Sequence, residues 1–256
     1  MRVDRVLAPN PGPFTGPGTN TYVVGDEEEA AVIDPGPVDA DHERAIIATI
    51  GGRGVSCVLV THTHPDHAPL ANPLARALGV AALGYDRGPE FEPDDTLREG
   101  SIVSVGSLDM EVLHTPGHAD DHVCFKVGST LFTGDHIMGG SSVMVDDLGP
   151  YMRSLERLRP MRFSRMYPGH GPEIDEPTGV VSWYLEHRRQ RERQILAAVR
   201  SGAATVGSVV EVVYHDVDPS LHPLAARSVV AHLRKLADEA LVEFAGDGWD
   251  SVVSAR

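Results

Sequence analysis

The sequence contains little cysteine and no long apolar run. Only two of its 256 residues are cysteine. Both, Cys57 and Cys124, lie within apolar stretches that predict strands, so we interpret them as buried, reduced thiols rather than as a disulfide framework. No apolar stretch approaches the length of a transmembrane helix. The first residues lack the apolar core of a signal peptide, so we expect a cytoplasmic protein without a membrane partner.

Basic residues are scarce as well. The chain has 22 Lys and Arg against 37 Asp and Glu, a formal net charge of −15. Residues 1–177 hold 13 basic against 27 acidic side chains, whereas residues 178–256 hold 9 against 10. Proteins grip polynucleotides mainly by pairing basic side chains with phosphates. The composition therefore weakens the case for such a substrate without excluding it, because bound metal ions would add positive charge locally.

Histidine, in contrast, is abundant, with thirteen residues. An apolar stretch at residues 57–60 predicts a buried strand, and the segment Thr-His-Thr-His-Pro-Asp-His follows it at residues 61–67. Its metal-ligand types are His62, His64, Asp66 and His67. Imidazole and carboxylate are the groups that bind zinc, iron and manganese. The proline ends the strand, which places these side chains on a loop at a strand's carboxyl end, where α/β folds build their sites.

Similar junctions recur downstream. Three more apolar stretches each run into a short polar segment that contains a ligand-type residue. These residues are His118, Asp135 and His170. An extended backbone points alternate side chains the same way, so His62 and His64 can face one position while residues beyond the turn face a second. The donors suffice for one metal ion and are numerous enough for two.

This set of residues resembles the metallo-β-lactamase superfamily. The resemblance implies an α/β fold, an αββα sandwich, with a dinuclear metal site at one edge of its two sheets. It also implies a hydrolase that uses a metal-activated hydroxide. The implied ligands of one metal are His62, His64 and His118; those of the other are Asp66, His67 and His170, with Asp135 bridging. Asp66 would also orient the attacking water or accept its proton.

Two metal ions per chain are therefore expected. Zinc is our presumption, although iron and manganese suit the same ligands. Asp34, which ends an apolar stretch, is interpreted with even weight as a residue that orients a metal-bound imidazole or as an ordinary turn residue. His122 is interpreted in the same way, as a neighbour of the site or as a packing residue. Residues 137–150 are predicted to be a flexible loop and a candidate lid.

The chain changes character near residue 177. We predict a catalytic domain at residues 1–177 and a winged-helix-like domain at residues 178–256, with three helices and a terminal hairpin whose second strand covers residues 249–253. Winged helices often bind DNA. The hairpin here carries Glu243, Asp247 and Asp250, which would face phosphates with like charge. A packing or substrate-wall role is therefore the preferred interpretation.

Further motifs narrow the resemblance. Asn-Pro-Gly-Pro at residues 10–13, the segments at residues 18–22 and 115–122, and Tyr-Pro-Gly-His-Gly at residues 167–171 resemble the lactamase-β-like endoribonuclease group. This resemblance implies phosphodiester hydrolysis of single-stranded RNA, with Asn20 lining the site. The alternative is a thioesterase or other small acyl-ester hydrolase of the glyoxalase II type. A non-catalytic nucleic-acid binder is the third hypothesis.

Overall fold

The computed structural model describes residues 1–140 and 142–256. The chain divides into two compact units. Unit 1 comprises Met1–Val143 and Met161–Thr178, and unit 2 comprises Met144–Pro160 and Gly179–Arg256. Among the described residues, no helix combines the length and the apolar character needed to cross a membrane.

Unit 1 contains a six-stranded sheet whose strands follow one another in chain order. They are β1 (Arg2–Leu7), β2 (Asn20–Gly25), β3 (Glu29–Ile33), β4 (Gly54–Leu59), β5 (Ala81–Gly84) and β6 (Asp95–Thr96). The pairs β1–β2 and β2–β3 are antiparallel, and the pairs from β3 to β6 are parallel. The carboxyl ends of β3 and β4 therefore meet at the same edge.

A second, five-stranded sheet faces the first within unit 1. Its strands are β7 (Ile102–Val105), β8 (Leu108–His114), β9 (Val123–Val127), β10 (Thr130–Gly134) and β11 (Arg165–Pro168), in the order β11-β10-β9-β8-β7. Side chains alternate across each strand, so every second residue enters the core between the sheets. Tyr22 of β2 packs edge-on against Phe132 and Tyr167, with ring centroids 5.6 and 5.3 Å apart.

Two helices, α1 (Ala40–Ile50) and α2 (Ala71–Leu78), cover the outer face of the six-stranded sheet. Helix α1 begins at Ala40, because the Asp39 carboxylate caps it by accepting the His42 N–H at 2.8 Å. Helix α2 ends at Gly79, whose φ of 71° is left-handed. The predicted sandwich architecture is confirmed for both sheets and these helices.

Unit 2 contains the remaining α-helices and strands. These are α3 (Leu148–Leu158), α4 (Val180–Arg200), α5 (Val206–Val213), α6 (His222–Asp238), β12 (Val242–Phe244) and β13 (Val253–Ala255). Helix α3 packs against α4 and α6, so unit 2 includes a segment that the division at residue 177 assigned to the first domain. The helix begins at Leu148, within the segment predicted to be a flexible loop, and Ser141 of that segment lies outside the described residues.

The winged-helix prediction is confirmed, with one correction to its hairpin. The second strand was expected over residues 249–253, but β13 begins only at Val253. The Trp249 carbonyl instead accepts the Gly207 N–H at 2.8 Å, and a Cβ on Gly207 would lie 2.3 Å from the Trp249 ring. Trp249 thus packs on α5 rather than pairing with β12.

Candidate metal centre

Four strand ends in unit 1 bring the seven predicted ligand residues together. Strand β4 leads into the segment at residues 61–67, β8 into His118, β10 into Asp135 and β11 into His170. The segment at residues 61–67 forms a tight turn, because the backbone N–H groups of His67 and Ala68 both donate to the His64 carbonyl, at 3.0 and 3.2 Å. This turn sends the side chains on its two sides towards different positions.

Three imidazoles form the first donor group. His64 Nδ1 lies 3.0 Å from His62 Nε2 and 2.9 Å from His118 Nε2. Burial first, and then neighbouring imidazoles, lower the pKa of His62 and His64. Both rings are therefore neutral near pH 7 and offer a lone pair rather than a proton. A hydrogen bond can join only two of these three nitrogen atoms, whereas a cation could accept a lone pair from each of them.

The second donor group combines two imidazoles with a carboxylate. His67 Nε2 lies 3.2 Å from His170 Nε2, and Asp66 Oδ2 lies 3.1 Å from His170 Nε2. Burial alone would lower the pKa of both imidazoles, but the surrounding carboxylates outweigh it. The pKa of His170 rises to about 9. In this group metal and protons compete for the same nitrogen atoms.

Asp135 lies between the two groups. Its Oδ2 is 3.6 Å from His118 Nε2 and 3.4 Å from His170 Nε2, and its Oδ1 is 3.5 Å from His67 Nε2. One carboxylate thus reaches donors of both groups. Buried Oδ1 has no hydrogen-bond partner among the described residues, which is costly for a carboxylate unless a cation lies beside it.

A metal ion fits this donor set. The ligand atoms of His62, His64 and His118 lie within 4.8 Å of one another, and so do those of Asp66, His67 and His170. Neutral imidazoles and ionised carboxylates suit zinc, iron and manganese alike, so the chemistry of the donors leaves the metal open. The assignment of ligands to two metals stays a prediction.

Asp34 holds His67, a member of the second donor group, through a hydrogen bond to its Nδ1. Its Oδ2 accepts hydrogen bonds from His67 Nδ1 at 2.9 Å and from Thr61 Oγ1 at 2.7 Å, and its Oδ1 accepts the Thr61 N–H at 2.7 Å. With its proton held on Nδ1, His67 presents the Nε2 lone pair to the metal position. Asp34 has a left-handed φ of 49° and is 2% exposed. Of the two interpretations of this residue, the structure favours the orienting one.

His122 supports Asp135 in a similar way, through a hydrogen bond to its backbone. Its Nε2 accepts the Asp135 N–H at 3.1 Å, so its Nδ1–H donates to Thr115 Oγ1 at 2.9 Å. Gly134, at a left-handed φ of 47°, makes this approach possible. A Cβ there would lie 2.7 Å from His122 Nε2. His122 therefore contacts the site as well as packing in the core.

Asn20 is buried beside the His170 loop. Its Nδ2 donates to the carbonyls of Pro168 and Gly171, both at 2.9 Å, and its backbone N–H donates to the Gly169 carbonyl at 2.7 Å. These bonds fasten β2 to the segment that carries His170. A contact between Asn20 and substrate stays a prediction.

Comparison with known proteins is consistent with this geometry. A model described as metallo-beta-lactamase superfamily matches residues 14–170, more than half of the chain. The chain belongs to the metallo-β-lactamase superfamily. A second model, the beta-lactamase associated winged helix domain, matches residues 205–249. The chain is therefore a hydrolase of this superfamily with a C-terminal winged-helix domain.

The sequence similarity to relatives covers nearly the whole chain. A beta-lactamase-like protein 2 homolog from Drosophila melanogaster is 34% identical over 257 residues, covering 93% of this chain and 88% of the relative. An atrochrysone carboxyl ACP thioesterase from Claviceps purpurea is also 34% identical, over 96% of this chain and 81% of the relative. A metallo-beta-lactamase family protein from Thermus thermophilus shares the fold, with a TM-score of 0.80, 23% identity, and coverage of 99% and 98%.

The sequence did not reveal one group of residues that holds Asp34 in place. The sequence did not single out His42, yet its Nε2 lies 3.0 Å from Thr21 Oγ1, which in turn donates to the Asp34 carbonyl at 2.7 Å. Burial lowers the pKa of His42. The single available signal was a histidine among the otherwise surface-type residues at the start of a helix.

Proposed function

We propose that the chain is a dinuclear-metal hydrolase of acyl thioesters. The convergence of seven donor side chains at the ends of strands from both sheets supports the metal-dependent chemistry. The similarity to a protein named as an acyl-carrier-protein thioesterase, over 96% of this chain, supports the substrate class. Residues 1–177 carry 13 basic against 27 acidic side chains. This acidic character favours a small acyl substrate over a polynucleotide, whose phosphates are bound mainly by basic side chains.

Two bound metal ions would supply an activated water and a Lewis acid for the carbonyl oxygen. The residues of the chain hold this arrangement in place. Asp66 Oδ2, on the partly exposed side of the site, orients the attacking water or takes its proton. Asp34 fixes the His67 tautomer, and His122 fixes the backbone of Asp135.

Single-stranded RNA is the second candidate substrate. It is favoured by the motifs at residues 10–13, 115–122 and 167–171, which resemble the lactamase-β-like endoribonuclease group. Hydrolysis of a phosphodiester needs the same metal chemistry, so the centre alone does not separate the two substrates.

The deciding experiment offers both substrates to the same protein. Wild-type protein and the variants Asp135→Ala and His64→Ala would receive labelled single-stranded RNA and a panel of acyl thioesters. We expect thioester turnover that is lost in both variants, while circular dichroism shows that both remain folded. RNA cleavage with untouched thioesters would refute the proposal. Chelation followed by restoration with zinc, iron or manganese would identify the effective metal.

A further inference from the structure

His42 is a buried histidine in the first turn of helix α1, outside the set of predicted metal ligands. The residue is 3% exposed. Burial lowers the pKa of its imidazole, so the ring is neutral near pH 7 and carries a single N–H. A polar ring is costly to bury unless it is hydrogen-bonded. The partner of this ring therefore indicates what it does.

The hydrogen bond between His42 and Thr21 has one possible direction. His42 Nε2 lies 3.0 Å from Thr21 Oγ1, and Thr21 Oγ1 donates to the Asp34 carbonyl at 2.7 Å. A carbonyl oxygen only accepts, so the one hydroxyl hydrogen of Thr21 is used there. His42 Nε2–H is therefore the donor to Thr21 Oγ1. The three residues form a series in which each hydrogen bond orients the next.

Asp34, at the end of this series, has an unfavourable backbone conformation. Its φ of 49° is left-handed, in a region that few residues other than glycine adopt. It also precedes Pro35, and a residue before proline prefers an extended backbone. Such a conformation persists only where the surrounding structure holds it. The Leu59 carbonyl accepts the Asp34 N–H at 2.9 Å, and the Thr21 hydroxyl holds the Asp34 carbonyl.

The segment at residues 34–36 connects this backbone to the metal centre. The Asp34 carboxylate accepts a hydrogen bond from His67 Nδ1 at 2.9 Å. The Gly36 N–H donates to the His67 carbonyl, also at 2.9 Å. A Cβ on Gly36 would lie 3.5 Å from His42 Nε2, so the His42 ring lies close to this segment as well. The segment thus holds both the imidazole and the backbone of His67.

We propose that His42 is a positioning residue for the second donor group. It holds the Thr21 hydroxyl towards the Asp34 carbonyl and so keeps the Asp34 backbone left-handed. Without this support the backbone relaxes, and the carboxylate moves away from the imidazole of His67. His67 then loses the hydrogen bond that keeps its proton on Nδ1 and its Nε2 lone pair free for a metal. The inference rests on the metal-dependent part of the proposed function and is independent of the substrate.

The test compares substitutions that retain each hydrogen bond with substitutions that remove it. His42→Gln places an amide NH₂ near the position of Nε2 and retains a donor, whereas His42→Leu does not. Thr21→Ser retains the hydroxyl, and Thr21→Val removes it with little change of shape. Metal-free protein would be titrated with zinc in competition with a chromophoric chelator. We expect His42→Leu and Thr21→Val each to weaken one of two zinc sites about tenfold, the lower end for outer partners of metal ligands, and the two conservative variants to stay close to wild type.

A double variant and a control separate positioning from lost stability. Because His42 acts through Thr21, the double variant His42→Leu, Thr21→Val should weaken zinc binding no more than Thr21→Val alone. Ile46→Val is the control, since Ile46 lies one turn after His42 on α1 and is fully buried in the core beneath the helix. It should destabilise the protein in urea and leave both zinc affinities unchanged. If His42→Leu does not fold by circular dichroism, Thr21→Val and Thr21→Ser give the same comparison.

The outcomes distinguish this inference from the proposed function. Unchanged zinc affinity in His42→Leu and Thr21→Val, with two zinc ions bound by the wild-type protein, would refute the inference and leave the proposed function intact. Additive losses in the double variant, or an equal loss in Ile46→Val, would show a general effect of stability and would also refute it. Wild-type protein that binds neither zinc, iron nor manganese would refute the metal-dependent function and the inference together.

Discussion

Replacing Asp34 by Asn tests how the protein prepares His67 for a metal. The Asp34 carboxylate accepts three hydrogen bonds, from the Thr61 N–H, Thr61 Oγ1 and His67 Nδ1. An amide has the same shape but only one acceptor oxygen. Asn also tolerates a left-handed backbone such as the φ of 49° found here. The substitution therefore changes the hydrogen bonds and the charge with little backbone strain.

Two amide orientations are available, and both are costly. If the NH₂ group faces His67 Nδ1, the imidazole must move its proton to Nε2, and the lone pair for the metal is lost. If the NH₂ group faces the Thr61 N–H, two buried donors oppose each other, at about 1–3 kcal/mol. Loss of such a supporting partner typically lowers metal affinity 10–100-fold, or by about 1.4–2.7 kcal/mol. We expect a loss of this size, confined to one of two metals.

The assay is a titration of metal-free protein with zinc in competition with a chromophoric chelator. Asp121→Asn is the matched control, because the Asp121 carboxylate accepts the Thr63 N–H of the same loop at 2.9 Å and has no hydrogen bond to an imidazole among the described residues. Wild-type affinity at both sites in Asp34→Asn, or an equal loss in Asp121→Asn, would refute the reasoning.

Three further predictions follow from the same contacts. His122→Gln places an amide oxygen near the position of Nε2, where it can accept the Asp135 N–H. The amide of His122→Asn is too short to reach that position. We therefore expect His122→Gln to bind metal more tightly than His122→Asn in the same zinc titration. Gly169→Ala places a Cβ 2.5 Å from Asp135 Oδ1, so it should reduce metal stoichiometry and cost about 1–3 kcal/mol in urea unfolding. Burial lowers the pKa of His232 to about 3, below the roughly 6.5 of an unfolded histidine. As the pH falls from 7 to 5, the unfolded chain therefore binds a proton at His232 that the folded chain does not. Relative to His232→Leu, the wild-type protein should lose about 2 kcal/mol of its free energy of unfolding over this range. Equal losses in both proteins would contradict this.

The ligand types and their order along the chain could be predicted from the sequence. His62, His64 and His67 are close in sequence, and each distant ligand follows a short apolar stretch that predicts a buried strand. Residue types and their spacing can be recognised without knowledge of the tertiary structure. The helices could also be predicted, within a few residues, because caps and turn glycines such as Asp39 and Gly79 act locally.

The tertiary structure decided the functions of residues with two possible interpretations. From the sequence, Asp34 could equally be an ordinary turn residue or a residue that orients a metal-bound imidazole. The parallel pairing of β3 with β4 brings its carboxylate to Thr61 and His67. His122 directly precedes β9, and its ring reaches the Asp135 N–H because β9 and β10 pair. Sequence sets which donors exist, and long-range pairing, which depends on contacts between distant residues, sets which atoms they face.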